Sequence, residues 1–371
     1  MTITDFTLAP GSLPEGGVIT PTPRRRHIGR WIAILAGVIV VVLAGFILWV
    51  IQPTDLYAIR PGSVRDTTSA ITVDGAEFHD PVGEIGFTTI SLTPGITRWE
   101  EWRMNDDPTI DLVPSELIDG ERTREERQAA NLASMEGSKD LATVVAMDFL
   151  GIDGVTTGEG ALVRVVLEGS AADGVLIPTD VVVAVDDERI DFAGELVAAM
   201  KLHSVGDPVL LTVVSLDGTI RDIDINLGAN AETGAPELGV SITTFQLSAD
   251  FPIDVEIDSG AVGGPSAGLA FTLGIIDVLT PGELTGGHKV ATTGTIGTSG
   301  EVGPVGGVLQ KVEAARNSGV EIFIVPSIEY DEAIERAGDM QILVADTLVE
   351  AVDILREYAG VDFAMGPVSF N

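Results

Sequence analysis

The sequence predicts a mixed α/β (α+β) body, interrupted by a smaller β-rich domain and preceded by one transmembrane helix. Three observations carry that prediction. Residues 31–51 hold no charge, and the run is long enough to cross a bilayer at ~20 residues per span. Between about Gly151 and Leu227 the apolar pattern shortens to strand-like runs. Residues 265–279 then read as a helix that is apolar on nearly every face, as in a buried core element. With 371 residues and 45% hydrophobic content, the chain has ample material for two folded domains.

Trp31 and Trp49 flank the uncharged run, and Arg24, Arg25, Arg26 and Arg30 crowd its N-terminal side. That asymmetry places the N-terminus in the cytoplasm and the rest outside. The run exceeds a signal-peptide core and no Ala-x-Ala-like site follows it, so it is expected to stay as an anchor. The expected organisation is a cytoplasmic tail at 1–30, a span at 31–51, the main domain in two parts at 52–149 and 229–371, and the insertion at 150–228. Residues 1–52 carry four arginines against Asp5 and Glu15, a balance of +2, so with −35 for the whole chain the exported part carries −37. So acidic a body repels phosphate backbones and anionic headgroups, which excludes nucleic acid and any bilayer contact beyond the anchor.

The absence of cysteine excludes disulfides, thiol nucleophiles and thiolate metal sites. His27, His79, His203 and His288 are scattered without metal-ligand spacing, so neither a metalloprotease nor a Ser-His-Asp enzyme is expected. Residues 70–73 and 85–92 read as paired strands joined through Asp74-Gly75. Residues 119–128 read as a charged, solvated helical face. A helix over 136–147 follows, with Ser138 as its N-cap and Leu141, Val144 and Val145 on one face. Strands are expected at 161–166, 178–186, 208–214, 238–242 and 253–257, with a helix at 193–200. Thr347-Leu348-Val349-Glu350 is a capping box that opens a last helix to Tyr358.

Two segments carry chemistry. Gly263-Gly264-Pro265-Ser266-Ala267-Gly268 precedes the apolar helix. Proline favours the first helical position, which makes Gly264 the cap and puts Ser266 in the first turn. Unpaired N–H groups at the positive end of the helix dipole suit an oxyanion. A serine at a helix start also serves as a plain cap, and a glycine turn there can cradle phosphate, although the Walker pattern G-x-x-x-x-G-K-[ST] is absent.

Lys311 is one of four lysines and lies among Val305, Val308, Leu309, Val312, Ala314 and Ala315. A lysine is a base only when neutral, and at an unperturbed pKa of ~10.4 fewer than about one in a thousand is neutral at pH 7. Bringing it to ~7–8 disfavours the charged form by roughly 4 kcal/mol, which burial can supply. The other reading of residues 308–318 is an amphipathic helix whose lysine head reaches water.

Three motifs occur in order: Gly264-Pro265-Ser266-Ala267-Gly268, then Ala291-Thr292-Thr293-Gly294, then Gly303-Pro304-Val305-Gly306-Gly307 with Lys311-Val312-Glu313-Ala314-Ala315. Over residues 255–326 they resemble the proteolytic domain of Lon-type Ser-Lys proteases. The resemblance implies Ser266 as nucleophile, Lys311 as general base and Thr293 as the hydroxyl that positions the amine. Gly263 and Gly264 are implied as supporting residues of the turn, and the Ser266 N–H as an oxyanion donor. The chain departs from that pattern at Gly263, where ATP-dependent members have an acid, and at Thr295, where they have a glutamate.

Gly169-Ser170-Ala171-Ala172 and Pro178-Thr179-Asp180, in their order of strands and helix, resemble a PDZ domain. That implies a groove between the second strand and the helix which takes an extended peptide by strand addition. Gly158-Glu159-Gly160-Ala161 is the nearest candidate for its carboxylate loop, and a β-rich spacer that binds nothing would show the same order of elements. The whole exported part resembles membrane-anchored PDZ-Lon-like proteases. The implied protein is a single-pass cell-membrane serine endopeptidase, ATP-independent and without cofactor or metal. It would cut unfolded or membrane-adjacent polypeptides outside the cell and assemble as a homo-oligomeric ring such as a hexamer. The alternative is a catalytically inactive PDZ adaptor on a Lon-like scaffold.

Overall fold

The computed structural model describes residues 26–120, 123–215, 217–230, 234–360 and 368–370. Most of the expected tail, including Arg24 and Arg25, lies outside the described residues, as do Glu121 and Arg122. Helix α1 (Arg26–Val50) contains a 22-residue stretch, Gly29–Val50, with mean hydropathy 2.9, long and apolar enough to cross a membrane. The Arg98 guanidinium sits 5.2 Å over the ring of Trp49, a cation–π arrangement.

The rest of the chain runs β1 (Leu56–Asp66), β2 (Ile71–Asp74), β3 (Glu84–Pro94), β4 (Asp111–Pro114) and α2 (Arg124–Phe149). The insertion supplies β5 (Ala161–Val166), β6 (Val181–Val185), α3 (Ala193–Met200), β7 (Pro208–Val214), β8 (Ile220–Asn226) and β9 (Val240–Thr244). After it come β10 (Asp254–Ile257), α4 (Gly268–Leu279), β11 (Lys289–Thr292), α5 (Val308–Asn317), β12 (Ile322–Val325), β13 (Gln341–Val344) and α6 (Leu348–Ala359). The mixed α/β prediction holds. One sheet of order β13-β12-β11-β3-β1-β4 takes three strands from each side of the insertion. Its β3, β11, β12 and β13 run parallel, whereas β1 pairs antiparallel with both β3 and β4.

Successive side chains of a strand point to opposite faces, and β12 uses both. Ile322 and Ile324 join a cluster with α4, α2 and α6, whereas Phe323 and Val325 join Val308, Val312 and Ala315 of α5. A strand buried on both faces reads as one continuous apolar run, and Ile322-Phe323-Ile324-Val325 is that run. All twelve residues of α4 are buried, and the Phe271 ring lies 5.1 Å from that of Phe87 on β3. Burying such a side chain contributes about 3 kcal/mol. The sheet thereby separates α4 on one face from α5 on the other.

Several local expectations change. Strand β2 pairs with β10 rather than with β3, because Gly75 (φ +92) turns the chain toward Pro252, just ahead of β10. Ser138 is not an N-cap: the cap of α2 lies fifteen residues earlier, in a Thr123–Glu126 capping box, and Ser138 is buried in mid-helix. The sheet of the insertion reaches past residue 228. Strand β9 pairs antiparallel with β5, and Leu238, Val240 and Ile242 pack into the insertion's own core. Thr347 and Glu350 form the expected capping box at the start of α6.

Gly274 in α4 marks the tightest approach of that helix to the segment before β2. An added Cβ would stand 2.7 Å from Thr67 Cβ, and the Thr67 hydroxyl is fixed by donating to the Ile85 carbonyl at 2.7 Å. Alanine gains ~1 kcal/mol in helix propensity, but overpacking costs ~1–3 kcal/mol and moving Thr67 forfeits a buried hydrogen bond of ~1 kcal/mol. Gly274→Ala should therefore lower the thermal unfolding midpoint. A midpoint at or above the wild-type value would show that Thr67 yields freely.

Candidate active site

Ser266 lies in the turn that enters α4, and α2 shapes that turn. The Gly264 N–H donates to the Asn131 carbonyl at 2.8 Å, and the Ser138 hydroxyl donates to the Pro265 carbonyl at 3.0 Å. Gly264 has φ +96, a left-handed conformation that glycine adopts without strain. Helix α2 is held in turn by the insertion, whose Arg164 donates to the Ser134 hydroxyl at 2.9 Å.

Ser266 is not in the first helical turn, as the proline rule had placed it. Helix α4 starts at Gly268 with Ala267 as its N-cap. The reason is local: the Ser266 carbonyl accepts the Gly294 N–H at 3.1 Å and the Thr293 hydroxyl at 3.4 Å, so it is drawn away from the helix ladder. Among the described residues the N–H groups of Ser266 and Ala267 donate to no other group. Two adjacent donors at a helix entrance can hold an oxyanion.

Lys311 sits on the first turns of α5, which Gly307 opens in the left-handed conformation (φ +70). The side chain is 3% exposed, and its amine donates to Thr293 Oγ1 at 3.0 Å. Thr293 is fully buried at the end of β11 and so touches both partners, taking the amine and donating to the Ser266 carbonyl. The serine hydroxyl makes no hydrogen bond to Lys311; Thr293 links the lysine amine to the Ser266 backbone carbonyl. Catalytic hydrogen bonds are often long before substrate binds.

Burial lowers the Lys311 pKa to about 8, against a smaller upward influence of Glu329. At pH 7 about one amine in ten is then neutral, against fewer than one in a thousand for a free lysine.

Gly263 packs against α2: an added Cβ would lie 2.8 Å from Asn131 Cβ and 3.1 Å from Asn131 backbone. The acid expected here from the resemblance has no room in this chain. Local motifs named Ser266, Thr293, Lys311, Gly263 and Gly264. They missed Asn131 and Ser138, which support the turn from over a hundred residues away, and Glu329, the first acid after an apolar strand. That last pattern was the available signal. Gly263→Asp should cost about 1–3 kcal/mol of stability in a denaturant titration, and an unchanged midpoint would contradict the packing argument.

Residues 230–355 match the family described as the Lon protease (S16) C-terminal proteolytic domain. Lon protease 2 of Bacillus subtilis (strain 168) is 30% identical over 124 residues, which is 33% of this chain and 21% of that protein. The Lon protease of Phenylobacterium zucineum (strain HLK1) is 30% identical over 179 residues, or 47% of this chain and 22% of that protein. The chain thus spans about a fifth of the length of these relatives. Among solved structures, the PDZ domain of an SdrC-like protein from Listeria monocytogenes is 24% identical, covering 23% of this chain and 87% of that one, with a TM-score of 0.22. The matched stretch, residues 230–355, includes Ser266, Thr293 and Lys311, and over it the chain is similar to a Lon-type proteolytic domain.

Proposed function

We propose that the chain is a membrane-anchored serine endopeptidase that cuts polypeptides through a Ser266–Lys311 dyad, without ATP. The observation that carries this reading is the buried Lys311 amine, its pKa near 8, hydrogen-bonded to the hydroxyl that also holds Ser266. Neutral Lys311 takes the Ser266 proton as the oxygen attacks the scissile carbonyl carbon. The oxyanion so formed is stabilised by the N–H groups of Ser266 and Ala267. The intermediate collapses, the C–N bond breaks, and Lys311 passes its proton to the leaving amine. Water then attacks the acyl ester with the same lysine as base, which frees the acid and restores the serine.

The anchor is α1, with the arginine-rich side in the cytoplasm and the folded domains outside. No P-loop pattern occurs in these 371 residues, so the substrates proposed are polypeptides already unfolded or held near the bilayer. The insertion would present them. Its edge strand beside α3 is β9, which among the described residues pairs only with β5, and the Ala193 N–H at the start of α3 donates to Thr244 Oγ1 on β9 at 3.1 Å. An extended peptide added to that edge gains main-chain hydrogen bonds. This replaces the second strand as the groove wall, and makes Leu238-Gly239-Val240, with Gly239 at φ +76, the loop at its end in place of 158–161. A homo-oligomeric ring is part of the same proposal.

Ser266→Ala and Lys311→Ala in the full chain should each reduce cleavage of an unstructured protein by about 10³-fold or more. The wild-type kcat/KM should rise with pH to a plateau with a midpoint near 8, because only the deprotonated amine accepts the serine proton. Undiminished cleavage by either variant, or a flat profile from pH ~6 to ~10, would leave the inactive binding scaffold as the better reading.

A further inference from the structure

Glu329 ends the short helical turn Ser327–Glu329 that follows β12, and it is 5% exposed. One carboxylate oxygen accepts the N–H of Val305, in the glycine-rich loop that leads into α5. The other, Oε2, is buried and has no hydrogen-bond partner among the described residues. A buried carboxylate oxygen without a donor is costly unless a positive charge compensates it.

Lys311 is the cation on which the Glu329 charge acts. The elements packed against α5 include β1, β3, the uncharged β12 and the short helix Tyr330–Ile334. On β1, Arg60 donates to Thr93 and Arg65 to the Ser259 carbonyl. Glu84 on β3 pairs with Lys289, and Glu313 on α5 itself pairs with Arg316. Asp331 and Glu332 belong to the short helix, and Glu332 acts on Glu329. Of all these groups Glu329 is the one whose charge acts on Lys311. The two do not form a contact ion pair, since the amine is engaged by Thr293.

We infer that Glu329 is a positioning residue for the Lys311 base, tying down the loop that opens α5 and supplying the buried negative charge that balances the lysine once it holds the serine proton. The inference rests on the proposed dyad and names a third member of its machinery. The sign follows from the charges. Burial pushes Lys311 down, and the Glu329 anion opposes that push by favouring the protonated amine. Without the anion, Lys311 sheds its proton at lower pH and becomes a weaker base.

Only four lysines occur in the chain, so labelling every lysine ε-carbon with ¹³C gives few NMR signals, and the one lost in Lys311→Met identifies Lys311. Glu329→Gln keeps an oxygen for the Val305 N–H but removes the charge. In detergent-solubilised full-length protein, the Lys311 titration midpoint should fall by at least ~0.5 pH unit in that variant. The acid limb of kcat/KM should move down with it. In the wild-type chain the same signal should show a second, smaller inflection at acid pH, as Glu329 takes its proton. An unmoved midpoint in folded Glu329→Gln overturns the inference. If that variant does not fold, absence of the acid inflection in the wild type overturns it. Full activity in Ser266→Ala and Lys311→Ala would overturn the dyad and this inference together. Inactive dyad variants with a lysine signal blind to Glu329 would overturn this inference alone.

Discussion

Taking an ammonium out of water costs several kcal/mol, and in this chain that cost falls on Lys311. Its pKa near 8 corresponds to about 3 kcal/mol against the charged form. The fold holds the amine in place despite that penalty because α5 is clamped to one face of the sheet by Val308, Val312 and Ala315 against Phe323 and Val325. Thr293, at the end of the adjoining β11, gives the amine its hydrogen bond. A lysine on a freely solvated helix would turn its head into water and keep its proton.

The serine is set by a different part of the same scaffold. Helix α4 is buried along its whole length on the opposite face, and α2 fixes the turn before it through Asn131 and Ser138. The parallel strand β11 links the two arrangements. Residues 293 and 294, just beyond it, bind the Ser266 carbonyl, and Thr293 also receives the amine. A rigid sheet with one reactive group on each side leaves little freedom at the junction, which is what a pre-organised site requires.

The fold class was legible because the uncharged run, the apolar helix and the change of period are strong local patterns. The types at Ser266, Thr293 and Lys311 were legible because each stands in a short motif. Partners distant in sequence were not. Nothing near Asn131 or Ser138 announces a role in a turn at residue 264, and Ser138 has the chemistry of a cap, which explains its misreading. For strand β9 the pairing partner was not legible, for a similar reason. Its pairing with β5 crosses more than seventy residues, and strand periodicity carries no record of the partner. Ser266 was put one turn too deep because the proline rule describes an isolated helix, whereas Thr293 and Gly294 compete for the serine carbonyl.

The missing acid at 263 also finds a physical place. Gly263 lies against Asn131 where a larger side chain has no space, so in this chain the turn is shaped by contact with α2. Whatever charge balance the lysine needs must come from elsewhere in the core. The most direct measurement is mass-spectrometric mapping of the adduct formed with a serine-directed fluorophosphonate across a range of pH. The adduct should form on Ser266, faster as the pH passes ~8, and should be lost when Lys311 is replaced by alanine. An unlabelled Ser266, or equal labelling with and without the lysine, would contradict it.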